Sequence, residues 1–161
     1  SSGNLQDFRF IVVTENDLKN KIAEASLKQY WMNTASIHII ICSDTQRLET
    51  YFKENFKKYS LQNSSAAAVL IALKAVDLGL ATCWIDVFDA NAVSRILKIP
   101  DNIKPEIILT LGYEEERPVK KPSKIPLRRI TFFNKYGTRK ADLKQFIQKK
   151  YTEKIKQLFK K

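Results

Sequence analysis

Glycine, histidine and cysteine are all scarce in this sequence of 161 residues. Its four glycines form no glycine-rich loop of the kind that cradles a dinucleotide or a phosphate. One histidine, His38, and two cysteines, Cys42 and Cys83, provide no cluster with the spacing of a metal site. The longest apolar run, residues 66–73, is too short to span a membrane. Composition alone therefore indicates a globular domain and no metal ligands.

No catalytic constellation of side chains is visible. His38 stands in an apolar run with no neighbouring acid or nucleophile, so we predict that it is packed or at the surface, and not catalytic. Both cysteines fall in predicted buried strands, where two reduced thiols are favoured over a disulfide. The first residues are polar and lack the basic and then apolar pattern of a signal peptide, so we expect a cytoplasmic location.

The positive charge is concentrated near the C-terminus. Residues 1–116 carry 12 basic and 15 acidic side chains, whereas residues 117–161 carry 16 basic and 2 acidic ones. Such an arm attracts phosphate, nucleic acid or anionic membrane. A solvated tail that only raises solubility is the other interpretation, and the sequence does not separate the two.

The pattern of apolar residues predicts an alternation of strands and helices. Strands are predicted at residues 8–14, 35–43, 81–88, 106–113 and 129–133. Helices are predicted at residues 17–31, 45–56, 60–78, 90–97 and 142–161. This order favours a central sheet that helices cover on both faces.

The helix predicted at residues 60–78 is apolar around nearly its whole circumference. Such a helix has to be covered on almost every side. A chain of this length has few elements to do so, and we therefore expect a second subunit to cover part of it. Gly79 supplies the left-handed residue that ends the helix.

Three stretches have residues suited to binding a flat, phosphorylated ligand. Ser1, Ser2, Asn4 and Gln6 surround a glycine and can bond a heteroaromatic ring without adding charge, although such stretches are often plain turns. Residues 78–89 run from the apolar helix into a strand whose backbone amides can bond a ring nitrogen. Residues 120–126 hold three lysines between prolines, which suits a phosphate or a solvated connector.

In this order, the stretches resemble the FMN-dependent nitroreductase family. Residues 1–13 are similar to its Pro-Ser-Ser-x-Asn-x-Gln-Pro-Trp-x-Phe segment, and residues 78–89 to its Leu-Gly-Leu-x-x-x-Trp-Ile-Gly-x-Phe-Asp segment. Ile99-Pro100, Leu111-Gly112-Tyr113 and Asn134-Lys135-Tyr136-Gly137 match further landmarks. No single piece is specific, but the ordered set is.

The resemblance implies an α+β fold, with a central mixed sheet flanked by helices in an intertwined homodimer. It implies FMN at the subunit interface, reduced by NAD(P)H and reoxidised by a nitroaromatic, a quinone or a similar small acceptor. The implied cofactor-binding residues are Ser1, Ser2, Asn4, Gln6, the backbone of Asp86 and Val87, and Lys124 at the phosphate. No protein side chain has to be catalytic, because the flavin carries the chemistry.

The sequence departs from the family pattern at several places. Asp7 stands where proline is common, and Asp86 where glycine or glutamate is common. Family members usually begin with a helix that carries an Arg-x-Ser-x-Arg stretch, so the resemblance implies a nitroreductase-like domain at 1–137 that lacks this helix, followed by a basic amphipathic helix at 138–161. The alternative hypothesis is a non-enzymatic module that binds nucleic acid or another anionic partner through residues 117–161.

Overall fold

The computed structural model describes residues 1–114 and 123–138, which belong to two compact units, 1–116 and 117–161. The strands of the first unit are β1 (Phe8–Val13), β2 (Ile37–Asp44), β3 (Ala81–Ile85) and β4 (Ile103–Gly112). Its helices are α1 (Asn16–Ala25), α2 (Thr45–Phe52), α3 (Phe56–Asp77) and α4 (Ala90–Leu97). The described part of the second unit contains one helical turn, α5 (Leu127–Ile130).

The four strands form one sheet in the order β1-β2-β4-β3. The isoleucine-rich β2 pairs with both β1 and β4, and this central place explains its nearly continuous apolar run. The α+β class is confirmed. All three strand pairs of residues 1–114 are antiparallel. The parallel pairs that a mixed sheet would also contain are not found among these residues.

Alternate side chains of the central strands point into two cores, one on each face of the sheet. Ile40 and Ile108 pack with α1 and α4 through Ile22 and Val93. On the other face, neighbouring strand residues pack against α3. That second group consists of Ile41, Ala68, Ile107 and Leu109. Helices therefore cover both faces, as the sequence predicts.

Helix α3 buries one side and exposes the other within the first unit. Its buried residues are Ser60, Asn63, Ser64, Ala68 and Ala75. Its exposed large apolar residues are Leu61, Val69, Leu70, Leu73 and Val76. No helix of residues 1–114 or 123–138 combines the length and the apolar character needed to cross a membrane.

Several predicted boundaries differ from the structure. Helix α1 ends at Ala25, not near residue 31, because Leu27 and Lys28 have positive φ angles of 54° and 58°. Strand β3 ends at Ile85, three residues earlier than predicted.

The strand predicted at 129–133 is wrong. Residues 127–130 form α5, which begins after Pro126, and proline favours a helix start. The Thr131 hydroxyl closes this turn by donating to the Leu127 carbonyl at 2.8 Å. The predicted helix at 142–161 lies outside the described residues and stays a prediction.

Candidate flavin site

The chain opens with a tight loop, Ser1–Gln6, which we call the opening loop. Residues Ser2–Asn4 form one 3-10 turn, with the Asn4 amide donating to the Ser1 carbonyl at 3.0 Å. Gly3, Asn4 and Gln6 have φ angles of 58°, 54° and 51°. Left-handed backbone costs energy for residues other than glycine, and it persists only where surrounding contacts hold it.

Side chains within the opening loop stabilise this shape. The Gln6 amide donates to the Ser1 hydroxyl at 2.8 Å, and the Gln6 carboxamide donates to Asn4 Oδ1 at 3.3 Å. Arg9 Nη1 donates to the Gln6 carbonyl at 3.1 Å. Ser1, Asn4 and Gln6 are exposed, so the loop presents neutral hydroxyl and amide groups to any ligand beside it.

One residue that the sequence does not mark as functional joins the opening loop to α3. Asn63 is buried, and its Oδ1 accepts from the Ser2 amide at 2.9 Å and from the Ser2 hydroxyl at 3.1 Å. Its Nδ2 donates to Asp7 Oδ1 at 2.6 Å. The sequence feature that could have indicated Asn63 is a set of polar residues, Ser60, Asn63 and Ser64, on one face of an otherwise apolar helix.

The second predicted segment follows β3. Asp86 and Val87 are exposed, and within residues 1–114 the Val87 amide donates to no other group. The next residues are fixed, because the Asp89 carboxylate caps α4 at the Ala92 amide, 2.9 Å away. Trp84 is partly exposed on edge strand β3, as a side chain that covers a ligand has to be.

The register of the sheet places these two segments relative to each other. Phe8 pairs with Ser43, which pairs with Lys104, so the start of β1 lies at the start of β4. Because β3 runs antiparallel to β4, its end points toward the same end of the sheet. The opening loop and Asp86–Val87 thus share one end of the sheet at opposite edges, where the strands that they adjoin, β1 and β3, are three strand spacings or about 14 Å apart.

Lys124 belongs to the second compact unit and is exposed. Its place at a phosphate stays a prediction. The rest of the lysine-rich stretch, residues 120–122, lies outside the described residues.

An open depression of about 720 Å³ lies in the first unit, at the end of the sheet where β4 begins. It is lined mainly by α4 and residues 98–105, including Arg95, Lys98 and Lys104. None of the predicted site residues lines it. A cavity of this size therefore does not by itself locate the flavin.

The one histidine and the two cysteines of the chain differ in burial within residues 1–114. His38 is fully buried, and burial lowers its pKa; the Lys19 ammonium lowers it further, while a hydrogen bond to Met32 opposes both. Cys42 is also buried, and burial together with the Glu106 carboxylate raises its pKa to about 12. The prediction of a second buried thiol is wrong, because Cys83 is exposed on edge strand β3.

The family model of the nitroreductase family matches residues 25–113, which is more than half of the chain. The chain belongs to the nitroreductase family. A relative from Archaeoglobus fulgidus, provisionally named an NADH dehydrogenase/NAD(P)H nitroreductase, is 32% identical over 120 residues, 72% of this chain and 66% of its own length. An FMN reductase [NAD(P)H] from Bacillus subtilis is 25% identical over 76% of this chain and 55% of its own length.

Solved nitroreductase structures share the fold. A nitroreductase family protein from Clostridium difficile superposes with a TM-score of 0.71 at 26% identity, over 84% of this chain and 78% of that one. The nitroreductase-like prediction is confirmed for the fold. Among the relatives are an NADPH-flavin oxidoreductase from Vibrio harveyi, 24% identical over 84% of this chain, and the FMN reductase above, and their names agree with the predicted enzyme class and cofactor.

Proposed function

We propose that this protein is an FMN-dependent oxidoreductase that takes electrons from NAD(P)H and passes them to a nitroaromatic, a quinone or a similar small acceptor. One observation carries the proposal: the opening loop lies at the same end of the sheet as the Val87 amide, which has no acceptor within residues 1–114. Both offer neutral hydrogen-bond donors, as an isoalloxazine ring requires. Membership of the nitroreductase family supports it.

The residues present fit a flavin better than they fit acid–base chemistry. When bound, FMN supplies the electron transfer between donor and acceptor. The protein then has to bind and orient the ring, which Ser1, Asn4 and Gln6 do with side chains and Val87 does with its backbone. His38, the one histidine, is buried away from this role.

The 14 Å between the two edges favours a shared site. A single ring does not easily reach both segments of one chain, whereas two chains related by symmetry bring the opening loop of one to the β3 end of the other. The exposed face of α3 supports such a pairing, because monomers rarely leave large apolar patches in water. We therefore include a homodimer in the proposal, with FMN between the subunits.

A binding titration tests the proposed function. The full protein, stripped of ligand, is titrated with FMN while flavin fluorescence is followed, and NADH or NADPH is then added without oxygen. We expect saturable binding and bleaching of the flavin absorption by the nucleotide. A protein that leaves FMN fluorescence unchanged contradicts the proposal.

Charge reversal tests the role of Lys124 at the phosphate. Lys124→Glu should weaken FMN binding at least about tenfold, because a charge-assisted hydrogen bond is replaced by repulsion. Lys135→Glu is the matched control, since it removes another exposed lysine of the described residues 123–138. Equal affinities of the two variants would remove Lys124 from the site.

The alternative function, binding of an anionic partner through the basic residues 117–161, can be tested separately. Binding of nucleic acid through residues 117–161 would weaken steeply with salt, because each phosphate contact releases a counterion. A gel-shift series across salt concentrations separates this module from the flavin enzyme. Absence of a shift at low salt would contradict the alternative.

A further inference from the structure

A buried relay of polar groups runs from the start of β1 through α3 to the opening loop. Asp7 Oδ1 accepts from Asn63 Nδ2 at 2.6 Å, and Asn63 Oδ1 accepts from both the amide and the hydroxyl of Ser2. Asp7 is fully buried, and Asn63 is 6% exposed. The relay thus joins residues that are 56 and 61 positions apart in the chain.

The chemistry of the two ends fixes how Asn63 is oriented. A backbone amide only donates, so the Ser2 amide requires the oxygen of the Asn63 side chain. The nitrogen of that side chain is then turned toward Asp7, where a carboxylate accepts. Reversing the Asn63 amide would break the bonds to the Ser2 amide and to Asp7, since only the Ser2 hydroxyl can also accept. Each partner therefore holds the orientation that the other needs.

Asp7 is held in place independently of Asn63. Its carbonyl accepts from the Asp44 amide at 2.7 Å, which ties it to the end of β2. Its second carboxylate oxygen, Oδ2, is buried without a partner in residues 1–114. A buried carboxylate is costly, so an aspartate at this position is expected to have a use. The family segment that residues 1–13 resemble commonly has proline here, which offers no side-chain acceptor.

The opening loop needs such support. Three of its residues, Gly3, Asn4 and Gln6, have positive φ angles, and two of them are not glycine. On its other side, Phe52 lies 3.4 Å from the place where a Cβ would stand on Gly3. Ser2 is the residue through which the buried relay reaches this strained backbone.

We propose that Asp7 and Asn63 are positioning residues that hold the opening loop in the shape that binds the flavin. The inference rests on the proposed function. Neither residue touches the ring; both act through Ser2, which Asn63 holds by two hydrogen bonds. Because Asn63 stands on α3, the relay also ties the loop to the helix whose other face is apolar and exposed.

An exchange of the two side chains tests the relay in the full protein. Asn63→Asp places a carboxylate against Asp7 and removes the donor between them. Asp7→Asn alone keeps an acceptor oxygen for Asn63. The double variant Asp7→Asn/Asn63→Asp restores every bond, since Asn at 7 donates to Asp at 63, which accepts from Ser2. Ser60→Ala is the matched control: it lies one turn earlier on α3 and loses a buried bond to Glu106 of 2.6 Å, away from the loop.

Two measurements are made on each variant. The first is the dissociation constant for FMN, and the second is hydrogen exchange of the Ser2 amide in the protein without flavin. We expect Asn63→Asp to weaken FMN binding at least about tenfold and to speed Ser2 exchange by a similar factor. Asp7→Asn and the double variant should stay within about threefold of the parent. Ser60→Ala should lower the melting temperature and leave both readouts unchanged.

The outcomes separate the inference from the proposed function. If the parent protein binds no FMN, the proposed function fails and the inference fails with it. If the parent binds FMN and Asn63→Asp binds it equally well, the inference alone is overturned. A double variant as weak as Asn63→Asp, or a Ser60→Ala variant that loses FMN to the same extent, also overturns it, because the effect would then be one of general stability.

Discussion

The ring Nε2 of His38 lies 2.9 Å from the carbonyl oxygen of Met32, and both residues are fully buried. This bond requires the proton on Nε2, which leaves Nδ1 as a lone pair without a partner within residues 1–114. A second proton would therefore be buried without an acceptor, close to the Lys19 ammonium. Lys19 is itself buried and donates to the carbonyl of Ala35 at 3.0 Å.

The first prediction concerns pH and stability. Burial keeps the folded-state pKa of His38 below its unfolded value of 6.5, so the unfolded chain takes up a proton first as the pH falls. The contribution of His38 is complete above pH 6.5 and declines below it, until the folded-state pKa is reached. Urea titrations at pH 7.5 and 5.5 should show a loss of stability on acidification that is smaller in His38→Gln than in the parent.

The second prediction concerns the two thiols. Cys83 is exposed and Cys42 is buried with a pKa of about 12, so a thiol reagent should modify only Cys83 in the folded protein. Partial loss of solvent around the exposed Cys83 still raises its pKa, which a hydrogen bond to the Trp84 carbonyl opposes, so its reaction should be slower than that of a free thiol and should speed up as the pH rises. Cys83→Ser should abolish modification of the folded protein, and Cys42→Ser should leave it unchanged. Modification of Cys42 at the rate of Cys83 would contradict the burial.

The third prediction tests the exposed face of α3. Leu73 is 63% exposed in the single chain. In the proposed homodimer the two-fold symmetry would bury two copies of Leu73, one from each subunit. Leu73→Glu should raise the dimer dissociation constant at least about a hundredfold, because two carboxylates would lose their water. Sedimentation velocity over a dilution series measures this. Leu27→Glu, at a residue 71% exposed outside α3, is the control, and equal behaviour of both variants would place the interface elsewhere.

The fourth prediction concerns the cap of α4, which follows the Val87 segment. Asp89→Ala removes the acceptor for the Ala92 amide and should lower the free energy of unfolding by about 1 kcal/mol. Asp101→Ala, at an exposed residue of the turn before β4, serves as the control and should change it by less than about 0.5 kcal/mol. Denaturant unfolding gives both values. A loss of the same size in the control would contradict capping.

Local patterns were sufficient for much of the fold. The isoleucine run of β2 predicts a buried strand, and the structure shows why: its side chains pack into both cores. Asp44 and Asp89 cap the helices that follow them, since a carboxylate immediately before a helix accepts from the free amides of its first turn. Gly79 ends α3 with a φ of 76°. Boundaries were less well predicted, because the left-handed Leu27 and Lys28 carry no strong local signal.

The candidate site was predictable only in part. Its predicted flavin-binding residues came from the resemblance of ordered motifs, and the structure adds that two of those motifs share one end of the sheet. Asn63 was missed, because the polar face that Ser60, Asn63 and Ser64 form on α3 does not by itself show what Asn63 binds. Its role appears only once Ser2 and Asp7 are seen on either side of it.

The sequence by itself determined the four strands of residues 1–114, although not all of their ends, and the family, since each depends on neighbouring residues or on the order of short motifs. Tertiary structure alone decided which face of α3 is buried, which cysteine is exposed, and that Asp7, Asn63 and Ser2 form one relay. The physical reason is distance along the chain: hydrogen bonds between residues some 60 positions apart exist only after the sheet has set its register.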